Sequence, residues 1–100
     1  MKKEKNSSPR RAHVFYNGRV QGIGFRYTAE RLALGRGLVG WVKNLPDGRV
    51  EIVCEAPQVT IELFLEDIQK SPLGAYIKKT NCSWEKPLNT FVDFCIEFYH

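Results

Sequence analysis

The sequence predicts an α+β fold in which two helices pack on one face of a four- to five-stranded antiparallel sheet. Segments with the spacing of helices alternate with segments typical of strands, in the order strand, helix, strand, strand, helix, strand. An additional short strand is expected near the end of the series. The chain has 100 residues, which is enough for one compact domain and leaves no room for a second core of useful size.

The first half of the chain predicts a strand, an amphipathic helix and a β-hairpin. The apolar and aromatic run AHVFYN (12–17) is typical of a strand. Between 25 and 34 the apolar residues instead recur on one helical face, and they are Phe25, Ala29, Leu32 and Ala33. The runs 38–44 and 49–55 flank the sequence LPDG, whose proline, aspartate and glycine favour a tight turn.

The second half predicts another helix and one or two more strands. Pro57 can occupy the first turn of a helix that ends at Ser71 and Pro72, and its apolar face consists of Ile61, Phe64, Leu65 and Ile68. The segment 75–84 is a strand of mixed polarity, and 91–98 alternates Val92, Phe94, Ile96 and Phe98 with polar or small residues. This series of elements is that of the ferredoxin-like fold.

Charge and composition divide the chain into a basic tail and a balanced domain. Residues 1–11 contain five basic residues and Glu4, so this segment accounts for the whole formal net charge of +4. We expect it to be disordered, with the folded domain at 12–100. The domain is electrically neutral, which argues against a nucleic-acid partner. No apolar segment follows the charged start, so we expect no membrane span and a cytoplasmic protein.

The cysteines and histidines give no indication of a disulfide framework, a metal site or a cofactor. Cys54, Cys82 and Cys95 are odd in number and widely spaced, and we interpret them as buried small apolar residues. His13 and His100 stand alone, and no spacing typical of metal ligands occurs anywhere in the sequence.

The segment GRVQGIGFRY (18–27) is a candidate anion site. It joins the first strand to the first helix, where the free N–H groups near Ile23, Gly24 and Phe25 lie at the positive end of the helix. A turn containing three glycines can wrap such amides around a phosphate, and Arg26 adds a planar fork that binds two phosphate oxygens. The alternative is that the glycines only allow a tight connection and that Arg26 is solvated.

Asn44 is a candidate for holding a water molecule. It ends a strand row that contains the apolar Leu38 and Val42, and its carboxamide can both donate to and accept from one water. The alternative is an asparagine that initiates the LPDG turn. Such a site has no obvious acid, base or nucleophile. It therefore suits an acyl phosphate, whose carboxylate leaving group has a conjugate acid with a pKa of roughly 4 and is stable without protonation.

VQGIGFR (20–26) and GWVKNLPDGRVE (40–51) closely resemble the two signature stretches of the acylphosphatase family, over about residues 13–98. The resemblance implies a ferredoxin-like enzyme that hydrolyses acyl phosphates to a carboxylate and inorganic phosphate without a metal or cofactor, and we expect a monomer. It assigns phosphate binding to Arg26 and water orientation to Asn44. The loop residues that would supply the amides are Gln21, Gly22, Ile23, Gly24 and Phe25. Ile23 replaces the usual valine, and Ala56 replaces a glycine.

Two other classes of function remain open from the residues alone. RNA-recognition modules share this order of elements, and GIGFRY superficially resembles their aromatic strand motif. Here, however, the motif leads into a helix, and Arg26 stands where that motif has valine. The second alternative is a domain of the same fold that binds anions or partners without catalysis.

Overall fold

The computed structural model describes residues 7–98, which form one five-stranded sheet with two α-helices against it. A short 3-10 helix precedes the fourth strand. The elements in chain order are β1 (Pro9–Gly18), α1 (Phe25–Gly35), β2 (Val39–Asn44), β3 (Val50–Pro57), α2 (Gln58–Lys70), the 3-10 helix (Pro72–Tyr76), β4 (Ile77–Glu85) and β5 (Phe94–Glu97). The predicted α+β class and the order of elements are confirmed. None of the described helices is long and apolar enough to cross a membrane.

The sheet is mixed, whereas the sequence predicted an antiparallel one. Its strand order is β4-β1-β3-β2-β5, and every neighbouring pair is antiparallel except β2 and β5. β2 runs in the same direction as β1, because both are antiparallel to β3. β4 runs opposite to β1, so the single reversal that follows β4 brings β5 back in the direction of β2. The parallel pair therefore results from the chain crossing to the far edge of the sheet.

The core lies between the two helices and one face of the sheet. From α2, the side chains of Ile61, Phe64 and Ile68 are buried, as its helical spacing predicted. Phe64 packs edge-on against Phe94 of β5, with 6.3 Å between ring centroids. Burying one such side chain contributes about 1.5–3 kcal/mol, so these contacts hold the last strand against the helix layer.

β1 begins at Pro9, three residues earlier than the predicted boundary between tail and domain. Arg10 and Arg11 pair with Ala56 and Glu55 across the β1–β3 ladder. The Arg11 guanidinium donates to the Glu55 carboxylate at 2.9 Å. That partner lies 44 residues away in the sequence. The local charge composition gave no sign of it, so these residues resembled a disordered tail. Residues 1–6 of the predicted tail lie outside the described residues.

The connection between β4 and β5 crosses the end of the sheet and is held by Glu55. The carboxylate of Glu55 accepts hydrogen bonds from the N–H groups of Leu88 and Asn89, at 2.8 and 3.1 Å. Val92, which the sequence placed in the last strand, lies in this connection and is 95% exposed. The last strand is accordingly shorter than predicted, and only Phe94 to Glu97 pair with β2.

The three cysteines have different environments, which corrects their common interpretation as buried residues. Cys54 is buried on the central strand β3, whereas Cys82 and Cys95 are exposed, and all three are free thiols. The exposed pair lies on β4 and β5, the two edge strands. A residue on an edge strand has a neighbouring strand on one side only and is therefore more exposed. For this reason the apolar character of cysteine was not enough to predict burial at these two positions.

Candidate active site

A close approach of two backbones fixes Gly18, the last residue of β1, where the loop to α1 begins. Gly18 has φ of +134°, and a Cβ atom built on it would lie 2.3 Å from the carbonyl oxygen of Tyr76. The next residue, Arg19, donates its N–H to that same carbonyl at 3.0 Å. Only glycine fits this position without moving the backbone, so the loop starts from a defined point beside the 3-10 helix.

Alternating burial along the loop leaves its amides at the surface. Ile23 packs against the core and Phe25 is 2% exposed, whereas Gly22 and Gly24 are exposed. Gly24 adopts φ of 80° and ψ of 19°, a left-handed conformation that lets the chain turn directly into α1. The ring of Phe25 lies 5.0 Å from that of Tyr16, between centroids. The side chains of Ile23 and Phe25 thus anchor the loop to the core, whereas Gly22 and Gly24 leave its backbone exposed.

The N-terminus of α1 carries free donors and no competing negative charge. The first hydrogen bond of the helix runs from the Thr28 N–H to the Gly24 carbonyl, at 3.0 Å. No side chain caps this end, and the first turn contains no acidic residue. Within residues 7–98, the N–H groups of Gly24, Phe25 and Arg26 donate no hydrogen bond. These N–H groups and the helix dipole together favour an anion at this position.

The side chain of Gln21 ties the loop to the β2–β3 hairpin. Its Nε2 donates to the carbonyl oxygens of Leu45 and Arg49, at 2.8 and 2.9 Å. Leu45 directly follows Asn44, so this bridge fixes the distance between the loop and the end of β2. The sequence had assigned Gln21 only a backbone role in the amide cradle, and this side-chain function was missed.

Asn44 stands at the end of β2 with a buried acceptor. Gly40 and Val42, which precede it at two-residue intervals, are both buried, so the core-facing row predicted for this strand is confirmed. The side-chain oxygen of Asn44 is buried and has no hydrogen-bond partner within residues 7–98. An unpaired buried acceptor is unfavourable by itself, so a donor such as water or a bound substrate is the partner this atom needs.

Arg26, in the first turn of α1, has an aromatic partner and no ionic one. Its guanidinium carbon lies 5.0 Å from the centroid of the Phe98 ring. The described part of the chain offers it no ion pair, whereas Arg11, Arg36 and Arg49 each pair with a carboxylate there. The alternation in 91–98 was the available signal for Phe98, but it indicated a core position rather than a contact with the loop.

A groove with a volume of about 590 Å³ lies beside the start of the loop. It is lined by Gly18, Arg19, Ala75, Tyr76, Ile77 and Lys78. None of the predicted phosphate-binding residues lines it, so the groove borders the candidate site without containing it. Within residues 7–98, no group of three or more histidine, cysteine or acidic side chains is arranged to hold a metal ion.

Fold and site together define a class: a ferredoxin-like α+β protein with a glycine-rich loop at the uncapped start of its first helix. The acylphosphatase family model matches residues 12–96. A curated relative, the acylphosphatase of a Nostoc species, is 44% identical over 86 residues, which cover 82% of this chain and 85% of that protein. The chain therefore belongs to the acylphosphatase family, and it is an enzyme, an acylphosphatase.

Solved structures give the same result for the fold. The crystal structure of acylphosphatase from Bacillus subtilis matches with a TM-score of 0.81 and 36% identity, covering 88% of this chain and 98% of that one. An acylphosphatase structure from Coxiella burnetii matches with a TM-score of 0.79 and 32% identity, covering 97% and 99%. The ferredoxin-like architecture predicted from the order of elements is thus confirmed.

Proposed function

We propose that this chain hydrolyses small-molecule acyl phosphates without a metal or cofactor, using the β1–α1 loop to bind phosphate and Asn44 to position the attacking water. One observation carries the proposal. Within residues 7–98, the loop presents uncapped N–H groups at the start of α1 and an arginine without an ionic partner. Gln21 ties this loop to the residue after Asn44, and the buried side-chain oxygen of Asn44 has no hydrogen-bond partner in the same part of the chain.

Phosphate binding follows from the charge at the loop. The N–H groups from Gln21 to Phe25 donate to the phosphoryl oxygens, and the helix dipole adds to their positive potential. The guanidinium of Arg26 donates two parallel hydrogen bonds to the same group. Because these donors are held in place before the reaction, they stabilise the charge that develops on the phosphoryl oxygens in the transition state.

The chemical step is an in-line displacement at phosphorus. A water molecule that donates a hydrogen bond to the Asn44 side-chain oxygen attacks the phosphorus atom, and the bond between phosphorus and the bridging acyl oxygen breaks. The leaving group departs as a carboxylate, which needs no proton. The proton of the water passes to a phosphoryl oxygen of the substrate, so that no protein base is required. Positioning and charge stabilisation are sufficient for a substrate with so good a leaving group.

Hydrolysis of benzoyl phosphate in the presence of EDTA tests the proposal. We expect turnover by the wild type and a loss of at least about 100-fold in kcat for Arg26→Ala and for Asn44→Ala, the size of effect seen when one transition-state donor is removed. Arg31→Ala, an exposed arginine of the same helix, and Asn81→Ala, an exposed asparagine of β4, are matched controls. Wild-type rates in either site variant, with turnover normal in the controls, would refute the assigned roles.

The open face of the sheet supports a small-molecule substrate rather than RNA. Phe15 and Trp41 lie on the face opposite the helices, where an RNA-recognition sheet stacks bases. Their rings are covered by cations of the chain itself, with the Arg49 guanidinium 4.5 Å from Phe15 and the Lys43 ammonium 4.9 Å from Trp41. Glu51, which lies opposite Phe15 on the neighbouring strand, adds negative charge to this face. We expect no binding to single-stranded RNA at low salt, and salt-dependent binding would contradict this part of the proposal.

A further inference from the structure

Within residues 7–98 the guanidinium of Arg26 forms no ion pair or side-chain hydrogen bond, and it lies over the ring of Phe98. The separation of 5.0 Å between the guanidinium carbon and the ring centroid is within the range of about 6 Å at which a cation is attracted by an aromatic face. Phe98 is 54% exposed, so the ring is not placed there by burial in the core. Its position is better explained by the cation that it contacts.

An aromatic face holds an arginine without occupying its hydrogen-bond donors. A carboxylate partner would accept from the N–H groups and neutralise the charge, and both would compete with a bound phosphate. Arg36 illustrates that case, because its guanidinium donates two hydrogen bonds to Asp67. The ring of Phe98 restricts the guanidinium of Arg26 through its quadrupole and leaves the five N–H donors available.

The parallel pairing of the last strand determines where Phe98 lies. The final pair in the β2–β5 ladder is Lys43 with Glu97, so Asn44 and Phe98 each follow directly after it. They continue the row of Val42 and Ile96, which lies on the core side of the sheet. Phe98 therefore lies at the same end of the sheet as Asn44, the candidate water-holding residue, and its ring contacts Arg26, the candidate phosphate-binding residue.

We propose that Phe98 is a positioning residue of the active site, whose ring keeps the Arg26 guanidinium in one orientation with its donors free for the phosphoryl group. Phe98 acts through Arg26 and forms no hydrogen bond to the substrate itself. It lies beyond the region 12–96 that matches the family model. The inference rests on the proposed role of Arg26 in binding phosphate.

The affinity for inorganic phosphate, measured by isothermal titration calorimetry, tests the proposal without depending on turnover. We expect Phe98→Leu, which keeps an apolar side chain but removes the ring face, to weaken phosphate binding by about two- to fivefold, the range expected for an exposed cation–π pair. Phe98→Tyr keeps the ring and should restore the wild-type affinity. With benzoyl phosphate, KM should rise in Phe98→Leu and remain normal in Phe98→Tyr.

Phe91→Leu is the matched control, because Phe91 makes the same type of contact with Arg11, 5.2 Å from its ring centroid, at the other end of the sheet. This control should bind phosphate normally whatever its melting temperature. An unchanged affinity in Phe98→Leu, or an equal loss in Phe91→Leu, would overturn the proposal. In an Arg26→Ala background, Phe98→Leu should have no further effect on phosphate affinity, and an additive loss would also overturn it.

The same measurements distinguish this inference from the proposed function. If the wild type binds phosphate in a Phe98-dependent way but does not hydrolyse benzoyl phosphate, the positioning role stands and the proposed reaction fails. If hydrolysis depends on Arg26 while phosphate affinity is indifferent to Phe98, the reaction stands and the positioning role fails.

Discussion

Replacing Gln21 with methionine is the sharpest test of how the loop and the hairpin cooperate. Methionine has nearly the same length as glutamine but cannot donate the two hydrogen bonds to the carbonyls of Leu45 and Arg49. The backbone amides of the loop are unaffected by this change. Any effect on catalysis therefore reports the bridge to the hairpin rather than the phosphate cradle itself.

The expected magnitude follows from what each carbonyl retains. A net intramolecular hydrogen bond contributes about 0.5–1.5 kcal/mol, so two contribute about 1–3 kcal/mol. Leu45 still accepts from the Gly48 N–H at 3.1 Å, and Arg49 still accepts from the Leu45 N–H at 2.8 Å. Because neither carbonyl loses its last partner, we expect a cost of about 1–2 kcal/mol. If this cost appears in the positioning of the loop, kcat/KM falls by about 5- to 30-fold.

Steady-state hydrolysis of benzoyl phosphate, together with urea unfolding, measures this effect. Gln69→Met is the control, because Gln69 is an exposed glutamine of α2 and its replacement should leave the rate unchanged. Gln21→Glu should be slower than Gln21→Met, because a carboxylate would face two carbonyl oxygens. A wild-type kcat/KM in Gln21→Met would refute the reasoning, since it would mean that the loop holds its position without the bridge.

Three further predictions concern stability. Burial raises the pKa of the Glu55 carboxyl, but hydrogen bonds from the β4–β5 connection and from Arg11 outweigh burial and hold the pKa below its ordinary value of 4.5. Glu55 therefore stabilises the fold above that pH and ceases to do so as the pH falls through its lower folded-state pKa; in urea unfolding, Glu55→Gln should cost about 2 kcal/mol at pH 7 and progressively less in acid. The hydroxyl of Tyr16 is buried without a hydrogen-bond partner among the described residues. Tyr16→Phe should therefore raise the free energy of unfolding by about 1 kcal/mol. A lower melting temperature of this variant in thermal unfolding would contradict the prediction. Gly18→Ala should cost at least about 2 kcal/mol because of its backbone strain, whereas Gly35→Ala, which meets no neighbouring atom, should not destabilise the protein.

Local patterns in the sequence predicted the elements but not all of their neighbours. The helical spacing of Ile61, Phe64 and Ile68 identified the buried face of α2, because that spacing is set within the helix itself. The parallel pairing of β5 could not be predicted in this way, since no feature of Phe94 to Glu97 indicates which edge of the sheet the strand joins. The early start of β1 was hidden for a similar reason, because the partner of Arg11 comes from a distant strand.

The sequence predicted which residues belong to the candidate site, but it could not predict how they are arranged relative to one another. Glycines, an arginine and a strand-ending asparagine are visible in the sequence, and their roles remain predictions. The contribution of the Gln21 side chain depends on two carbonyls in another turn, 24 and 28 residues away. The contact between Arg26 and Phe98 joins the first helix to the residue that follows the last strand. Contacts of this kind arise from the fold and leave no pattern in the neighbouring residues.

The position of β5 at the end of the chain also affects how the protein folds during its synthesis on the ribosome. The loop and Asn44 leave the ribosome about half a chain before Phe94 to Phe98, which at about 5–20 residues per second corresponds to several seconds of synthesis. During that interval β2 has no strand on its outer side, and Arg26 lacks its contact with Phe98. A nascent chain therefore contains Arg26 and Asn44 before the last strand can pair with β2, so the arrangement around these two residues is completed late in synthesis.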